Sequence, residues 1–191
     1  MPEDGPAPEL SSTQTAILAA YSELIDEVGT DDISFRLIAV RAGVGERTVF
    51  RYYPTRVDLL LATSDWIEQT IFGRQESESI FDVPIAIREA MEAYDRRPEL
   101  AHVVAETAMR GVNGSESAPH RERFDAMLRA EVPSLDDHDR RLLVAALCHL
   151  DSSTTWVTMR RELGMSGRDI ADAAMWSAEA LLDPIRDRTA Q

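Results

Sequence analysis

Apolar residues recur every three to four positions along most of this chain, which is the spacing of helices that bury one face. No stretch alternates apolar and polar residues in the manner of a half-buried strand. The pattern therefore predicts an all-α protein with about nine helices. The predicted helices cover roughly residues 12–28, 34–42, 45–53, 55–72, 82–96, 98–111, 119–133, 134–164 and 166–186.

Residues that favour helix ends support several of these boundaries. Gly29 and Gly43 follow the first two predicted helices, and Ser34 precedes the second, where its hydroxyl can cap free backbone N–H groups. Pro54 stops the third helix, and a loop is expected at residues 113–115. Three later helices are expected to begin at capping-box-like pairs, namely Thr55 with Asp58, Ser134 with Asp137, and Ser166 with Asp169.

The pattern divides the chain into a short N-terminal module and a longer helical body. We expect a disordered tail and a helix-turn-helix domain in residues 1–56, and a helical body in residues 57–191. The tail, residues 1–11, is rich in Pro, Gly and acidic residues. No linker precedes the predicted fourth helix, so we expect it to join the two parts stiffly.

The distribution of charge bears on what the module can bind. The chain carries 20 Arg, no Lys and 34 acidic residues, and its net charge is −14. Residues 33–56 run against this trend, because five Arg and one Glu give that segment a net charge of +4. A basic patch in an acidic protein is typical of a local phosphate contact. The surrounding negative charge weakens non-specific DNA binding and leaves selection to short-range contacts.

The third predicted helix separates apolar and polar side chains on two faces. At 100° per residue, one face that is predicted to pack inward carries Glu46, Val49, Phe50 and Tyr53. The opposite face carries groups that can contact phosphates or base edges. A solvated amphipathic helix fits the same pattern, but the short turn before the helix and the concentration of Arg favour a DNA reader. The residues of the outer face are Arg47, Thr48, Arg51 and Tyr52.

Residues 13–60 resemble the DNA-binding module of the TetR family of bacterial transcriptional regulators. The resemblance covers about a quarter of the chain. It implies an N-terminal three-helix helix-turn-helix DNA-binding domain and a C-terminal helical ligand-binding and dimerisation domain. The run that carries it is Ala42-Gly43-Val44-Gly45-Glu46-Arg47-Thr48-Val49-Phe50-Arg51-Tyr52-Tyr53-Pro54-Thr55-Arg56-Val57-Asp58-Leu59.

The resemblance implies DNA contacts on both helices of the motif. Arg36 matches a position that often reaches a base edge, and Tyr52 matches a position that contacts phosphate. Arg56 matches the basic residue, usually Lys, that binds phosphate at the start of the fourth helix, where free N–H groups add to the attraction. The candidate DNA-binding residues are Ser34, Arg36, Arg47, Thr48, Arg51, Tyr52 and Arg56.

Three positions depart from the family's pattern. Gly45 replaces the usual Ser cap. Phe50 replaces a Tyr whose hydroxyl commonly reaches the DNA backbone, so this contact is not carried over. Glu46 is either a solvated acid in the first turn of the helix or an acceptor for a cytosine amino group.

For the helical body, the resemblance implies a homodimer that pairs through its last two helices. Such a dimer would repress by binding a pseudo-palindromic double-stranded operator, and a small hydrophobic effector would release it. The last predicted helix has a small-residue face that suits close helix pairing, although a core fits the same face. Residues that either line an effector pocket or fill the core are Met91, Tyr94, His102, Met109, Phe124, Met127, His149, Trp156 and Met159.

Other functional classes have less support in the sequence. There is no nucleophile elbow, phosphate-binding Gly loop or closely spaced set of metal ligands, so we expect no catalytic residue, metal or cofactor. The alternatives are an all-helical enzyme, a small-molecule carrier or a protein-binding adaptor whose N-terminus does not bind DNA. A single cysteine, Cys148, and the lack of an apolar run of ~20 residues fit a cytoplasmic protein with no membrane partner.

Overall fold

The computed structural model describes residues 10–30, 32–74, 77–110 and 117–189. Ten α-helices and one turn of 3-10 helix (Ile80–Asp82) account for most of these residues, none of which lies in a β-strand. The all-α class predicted from the sequence is confirmed. The helices are α1 (Ser12–Val28), α2 (Phe35–Ala42), α3 (Glu46–Tyr52), α4 (Arg56–Thr70), α5 (Val83–Arg96), α6 (Pro98–Met109), α7 (Ser117–Glu131), α8 (Asp137–Leu150), α9 (Ser153–Arg161) and α10 (Gly167–Thr189).

The chain forms two compact units, Met1–Thr63 and Ser64–Gln191. The boundary expected after residue 56 coincides with the start of α4, and the division between the units lies further along that helix. The predicted loop at residues 113–115 and most of the predicted tail, residues 1–9, are outside the described residues.

The N-terminal unit is built from α1 to α3 and the first turns of α4. A capping box starts α1, in which the Gln14 N–H donates to Ser11 Oγ at 3.3 Å and the Ser11 N–H donates to Gln14 Oε1 at 3.1 Å. The α2 helix packs against both α1 and α3. Apolar side chains from all four helices and the loop before α2 form its core. This core includes Ile17, Leu18, Tyr21, Leu24, Ile25, Ile33, Ile38, Ala39, Val49 and Leu59.

The C-terminal unit is organised around the pairing of α10 with α5. The α6 helix packs against α9, and α7 packs against α8. No helix in the described part of the chain has the length and apolar character needed to cross a bilayer. The largest fully buried side chains of this unit include Ile67, Ile80, Ile87, Met91, Tyr94 and Trp156.

The start of α8 differs from the prediction at Ser134. Asp136 caps the helix instead, because its Oδ1 accepts hydrogen bonds from the N–H groups of His138 at 2.8 Å and Asp139 at 2.9 Å. The carboxylate satisfies two of the free donors that every helix start exposes. The capping-box prediction is wrong here, whereas the equivalent pair at Ser166 and Asp169 is confirmed, with the Asp169 N–H donating to Ser166 Oγ at 3.2 Å.

The single long helix predicted over residues 134–164 is also wrong, because a break after Leu150 divides it into α8 and α9. Ser152 Oγ accepts a hydrogen bond from the Thr155 N–H at 3.3 Å and thereby caps a new helix. Ser and Thr side chains that bond the backbone locally compete with a continuous helix. The break raises the number of α-helices from the expected nine or so to ten among the described residues.

Candidate nucleic-acid interface and effector cavity

A tight turn joins α2 to α3 and depends on one glycine. The Leu37 N–H donates to Ser34 Oγ at 3.2 Å, so the predicted cap of α2 is confirmed. Gly43 ends that helix with a φ of 69° and a ψ of 28°, in the left-handed region that favours glycine. The Val44 N–H then donates to the Ala39 carbonyl at 3.0 Å, which closes the turn.

The α3 helix is held in place by its inner side. Val49 is fully buried, and Tyr53, which ends the helix, is also buried. Phe50 departs from the prediction, since 47% of it is exposed. Its ring meets Phe35 edge-on with the ring centroids 4.4 Å apart, so one side of Phe50 covers a neighbour while the other faces solvent.

The outer side of α3 presents the predicted reading residues. Arg47 and Arg51 are exposed, and Thr48 and Tyr52 are half-buried. The Arg51 guanidinium lies over the Tyr52 ring, 5.0 Å from its centroid, which holds the cation close to the helix. The two candidates at the start of α2, Ser34 and Arg36, are exposed as well.

Arg41 belongs to the basic segment of the sequence but is neutralised by α1. Its Nη1 and Nη2 donate to the two carboxylate oxygens of Glu27 at 2.9 and 2.8 Å, and Nη1 also donates to Glu23 at 3.3 Å. The bonds from Arg41 lower the pKa of Glu27. We therefore define the basic surface of the motif by Arg36, Arg47 and Arg51, which are all exposed.

Arg56, the first residue of α4, is turned toward the end of α1. Its Nη2 donates to the Thr30 carbonyl at 3.1 Å. It also lies near the phenol of Tyr21, whose pKa is raised by burial and partly lowered again by Arg56. The predicted capping box beside it is confirmed, since the Asp58 N–H donates to Thr55 Oγ1 at 3.1 Å. Because this bond uses only one of the five N–H donors of the guanidinium and Arg56 is exposed, a phosphate contact stays a prediction.

The nine candidate effector residues lie at different depths in the C-terminal unit, and their role in an effector pocket stays a prediction. None of them lines any of the five cavities described here among the described residues. His102 Nδ1 lies 2.7 Å from the Pro98 carbonyl oxygen, and its ring meets Trp156 edge-on, so the half-buried imidazole already has partners within the protein. Met91, Tyr94, Phe124 and Trp156 are buried, His102, Met127 and Met159 are half-buried, and Met109 and His149 are exposed.

A buried ion pair between Arg74 and Asp151 occupies the break between α8 and α9. Arg74 Nη1 pairs with Asp151 Oδ2, and Nη2 donates to the Tyr94 hydroxyl at 2.6 Å and to the Asp151 carbonyl at 2.7 Å. His120 Nδ1 lies 3.6 Å from Asp151 Oδ2. Burial, and after it the positive charges of Arg74 and Arg123, nevertheless lowers the pKa of His120 to about 4.

Two neighbouring cavities flank this ion pair. The larger, of about 340 Å³, is lined by Asp65, Glu68 and Phe72, together with Arg74 and His120. The smaller, of about 90 Å³, shares Glu68 and His120 with the first. It also reaches Cys148, whose pKa is raised by burial, so its thiol is not activated. Among the described residues no group of three or more His, Cys, Asp or Glu side chains is placed to hold a metal ion.

Reasoning from the sequence missed the charged residues of these cavities. Asp151 interrupts an apolar helical pattern and is followed by Ser152, Ser153, Thr154 and Thr155, which is a usable sign of a helix break. Its partner could not be inferred in the same way, because Arg74 is 77 residues away in the chain.

Comparison with known proteins supports the assignment of the N-terminal unit. Residues 17–63 match the model of the bacterial regulatory proteins, tetR family. No curated protein sequence gives a significant match to the chain.

Several solved structures share the fold at low sequence identity. A TetR transcriptional regulator from Rhodococcus sp. RHA1 is 21% identical, with a TM-score of 0.58 over 92% of this chain and 99% of its own. A TetR variant from Acinetobacter baumannii AYE in complex with minocycline is 16% identical, with a TM-score of 0.61 over 96% of this chain and 100% of its own. BioQ with its natural double-stranded DNA operator is 18% identical, with a TM-score of 0.53 over 87% of this chain and 99% of its own.

The family match covers the helix-turn-helix whose caps, turn and outer face are described above. The likeness in fold to TetR structures extends over both units. The N-terminal domain of this chain therefore matches the tetR family of bacterial regulatory proteins, and the fold of its described residues resembles that of solved TetR structures.

Proposed function

We propose that this protein is a transcriptional repressor that binds a pseudo-palindromic operator as a homodimer and is released by a small molecule. The observation that carries the proposal is the α3 helix, on which Arg47 and Arg51 face outward while Val49 fixes the inner side. A helix held in this way can enter the major groove as a rigid unit and present guanidinium groups to base edges and phosphates. BioQ, which has a similar fold, has been solved with its DNA operator.

The proposed dimer surface consists of largely apolar faces on α8 and α10, with Asp139 in the groove between them. Leu142 on α8 is 58% exposed, and Trp176 and Leu181 on α10 are 69% and 38% exposed. Leu142 and Leu181 line one groove, so the two faces are continuous. A second copy of the chain would cover this surface, and small side chains would let its helices approach closely. The small residues are Ala145 on α8 and Ala173, Ser177 and Ala180 on α10.

Dimerisation would also give the α3 helices enough contacts with DNA. A seven-residue helix reaches few base pairs, whereas two copies related by a two-fold axis read two half-sites about one helical turn apart. A ligand can release such a dimer only if it binds more tightly to a form whose reading helices no longer fit both half-sites. The α4 helix begins at Arg56 in the motif and continues past Glu68, which lines the cavities, so it offers a continuous route for this coupling.

DNA binding by the purified full chain tests the proposal. The fragment upstream of its own gene is titrated by fluorescence anisotropy beside a scrambled duplex of equal length, at several salt concentrations. We expect saturation at two protomers per site and an affinity that falls steeply with salt. If the protein binds neither duplex at low salt, that result contradicts the proposal and favours the enzyme or carrier alternative.

A further inference from the structure

The walls of the two cavities in the C-terminal unit carry more negative than positive charge. Asp65 and Glu68 lie one turn apart on α4 and both line the larger cavity. The smaller cavity adds Asp151. Arg74 is the only basic side chain other than His120 that lines either cavity in the described part of the chain.

The guanidinium of Arg74 is already bonded to groups of the protein itself. Its Nη1 pairs with Asp151, and its Nη2 donates to the Tyr94 hydroxyl and the Asp151 carbonyl. An anionic ligand would therefore meet Asp65 and Glu68 without a free guanidinium to bind it. The cavities suit a ligand that brings positive charge with it.

A second observation, independent of the acidic pair on α4, also indicates a hydrogen-bond donor. Asp151 is only 6% exposed and lines the smaller cavity, and its Oδ1 has no hydrogen-bond partner among the described residues. Asp65 Oδ1 is also buried without a hydrogen-bond partner among the described residues. Buried carboxylate oxygens without donors are costly, and a ligand with N–H groups would offset that cost after a small adjustment of the side chains.

The remaining wall is apolar and includes an aromatic ring. Phe72 lines the larger cavity, while Val104 and Ala108 line the smaller one. An aromatic face attracts an organic cation and also packs against an apolar group. The volume of the larger cavity, about 340 Å³, is enough for a ligand of one or two rings.

We propose that these cavities bind an organic cation, in which an ammonium or amidinium group lies beside Glu68, the carboxylate that lines both cavities, and an apolar ring or chain rests on Phe72. Asp65 adds negative charge on the side of the larger cavity, and Asp151 does so on the side of the smaller one. This proposal rests on the proposed function, because it names the chemical class of the releasing ligand. It replaces the small hydrophobic effector expected from family resemblance with a positively charged one.

The test uses three probes of nearly equal size and different charge: benzamidine, which is a cation, benzamide, which is neutral, and benzoate, which is an anion. Each is titrated into the full chain by calorimetry near neutral pH. We expect benzamidine to bind at least about tenfold more tightly than either analogue, which is the effect of one favourable charge contact. Equal or stronger binding of benzamide or benzoate, or no binding of benzamidine, overturns the proposal.

Two isosteric variants and one control locate the site. Asp65→Asn and Glu68→Gln should each weaken benzamidine binding about tenfold while leaving benzamide unchanged. Glu99→Gln removes a negative charge from an exposed position that lines neither cavity, so it should bind like the parent. An equal loss in all three variants would indicate a general effect of net charge and would contradict the assigned site.

Operator binding in the presence of benzamidine separates this proposal from the proposed function. Release of DNA by saturating benzamidine, but not by benzamide, supports both. Tight binding of benzamidine without release keeps the cation site and overturns its role as effector. A chain that binds no DNA overturns the proposed function, while the calorimetry still decides the cation site.

Discussion

Arg41 and Glu27 form a two-point ion pair that ties α2 to α1, with nitrogen–oxygen distances of 2.9 and 2.8 Å. Arg47, on the outer face of α3, is exposed. Two arginines six positions apart in one basic segment therefore differ in whether they can neutralise a phosphate. This difference can be measured, because each neutralised phosphate contributes to the salt dependence of DNA binding.

Arg47→Ala should lower the magnitude of the salt slope by about one, the amount expected for one lost phosphate contact. Arg41→Ala should leave the slope unchanged, because Arg41 is already engaged with Glu27. The measurement is the operator affinity of each variant at four or more salt concentrations. A loss of slope in Arg41→Ala equal to that in Arg47→Ala would show that the ion pair opens on DNA.

Arg36→Ala tests base recognition rather than phosphate contact. Arg36 is exposed at the start of α2, and an arginine that clamps a guanine edge contributes about 1–3 kcal/mol of discrimination. We expect weaker binding to the operator and a relaxed preference at one position in each half-site. Competition with operators substituted base by base measures this, and an unchanged preference at every position would rule out a base contact.

Trp176→Glu should convert the dimer to a monomer, because it places a charge in the surface that we propose to pair. Ile85→Glu is the matched control, since Ile85 is also an exposed large apolar residue but lies on α5. Sedimentation equilibrium gives the mass of each variant. A dimeric Trp176→Glu variant, or an equal effect of Ile85→Glu, would place the dimer surface elsewhere.

Gly43→Ala should destabilise the protein by roughly 1–2 kcal/mol, which is the cost of a side chain in the left-handed region. No atom lies within 4 Å of the added methyl group, so the cost is purely conformational. Gly45→Ser is the contrasting change, because Gly45 has an ordinary φ of −75° and caps α3 without a side-chain bond. It should stabilise the helix by a few tenths of a kcal/mol. Urea unfolding measures both, and equal effects would contradict the assigned turn.

His120 should make folding stability depend on pH between about 6.5 and 4, because its pKa falls from 6.5 to about 4 on folding. In that window the unfolded chain binds a proton that the folded protein does not, so stability decreases as pH falls. His120→Gln should flatten this dependence. The urea midpoints of parent and variant are compared from pH 7 to pH 4, which removes the contribution of the many carboxylates that they share. Parallel profiles would show that His120 titrates normally in the folded protein.

The N-terminal unit could be predicted closely because its determinants are local. Ser34, Gly43 and the pair Thr55 and Asp58 act on backbone groups within a few residues of themselves, and the structure bears out each of them. Phe50 could not be placed in this way, because its exposure depends on Phe35, which belongs to another helix.

The cavities were less accessible to sequence analysis because their residues are distant in the chain. Helical periodicity marks Met91, Tyr94 and Trp156 as apolar but does not distinguish a filled core from a cavity wall, and all three are fully buried. The charged wall depends on the contact between Arg74 and Asp151, and no local pattern reports such a contact.

The break between α8 and α9 also restricts which substitutions can be tolerated at Arg74 and Asp151. In a continuous helix, the Asp151 carbonyl would accept a hydrogen bond from the Thr155 N–H. Ser152 Oγ accepts that bond here, so the Asp151 carbonyl can accept from Arg74 instead. A substitution at either Arg74 or Asp151 alone would strand an unpaired charge in the protein interior. Related sequences are therefore expected to keep both residues or to lose both together. Covariation of these two positions would show that the ion pair and the helix break are retained as a unit.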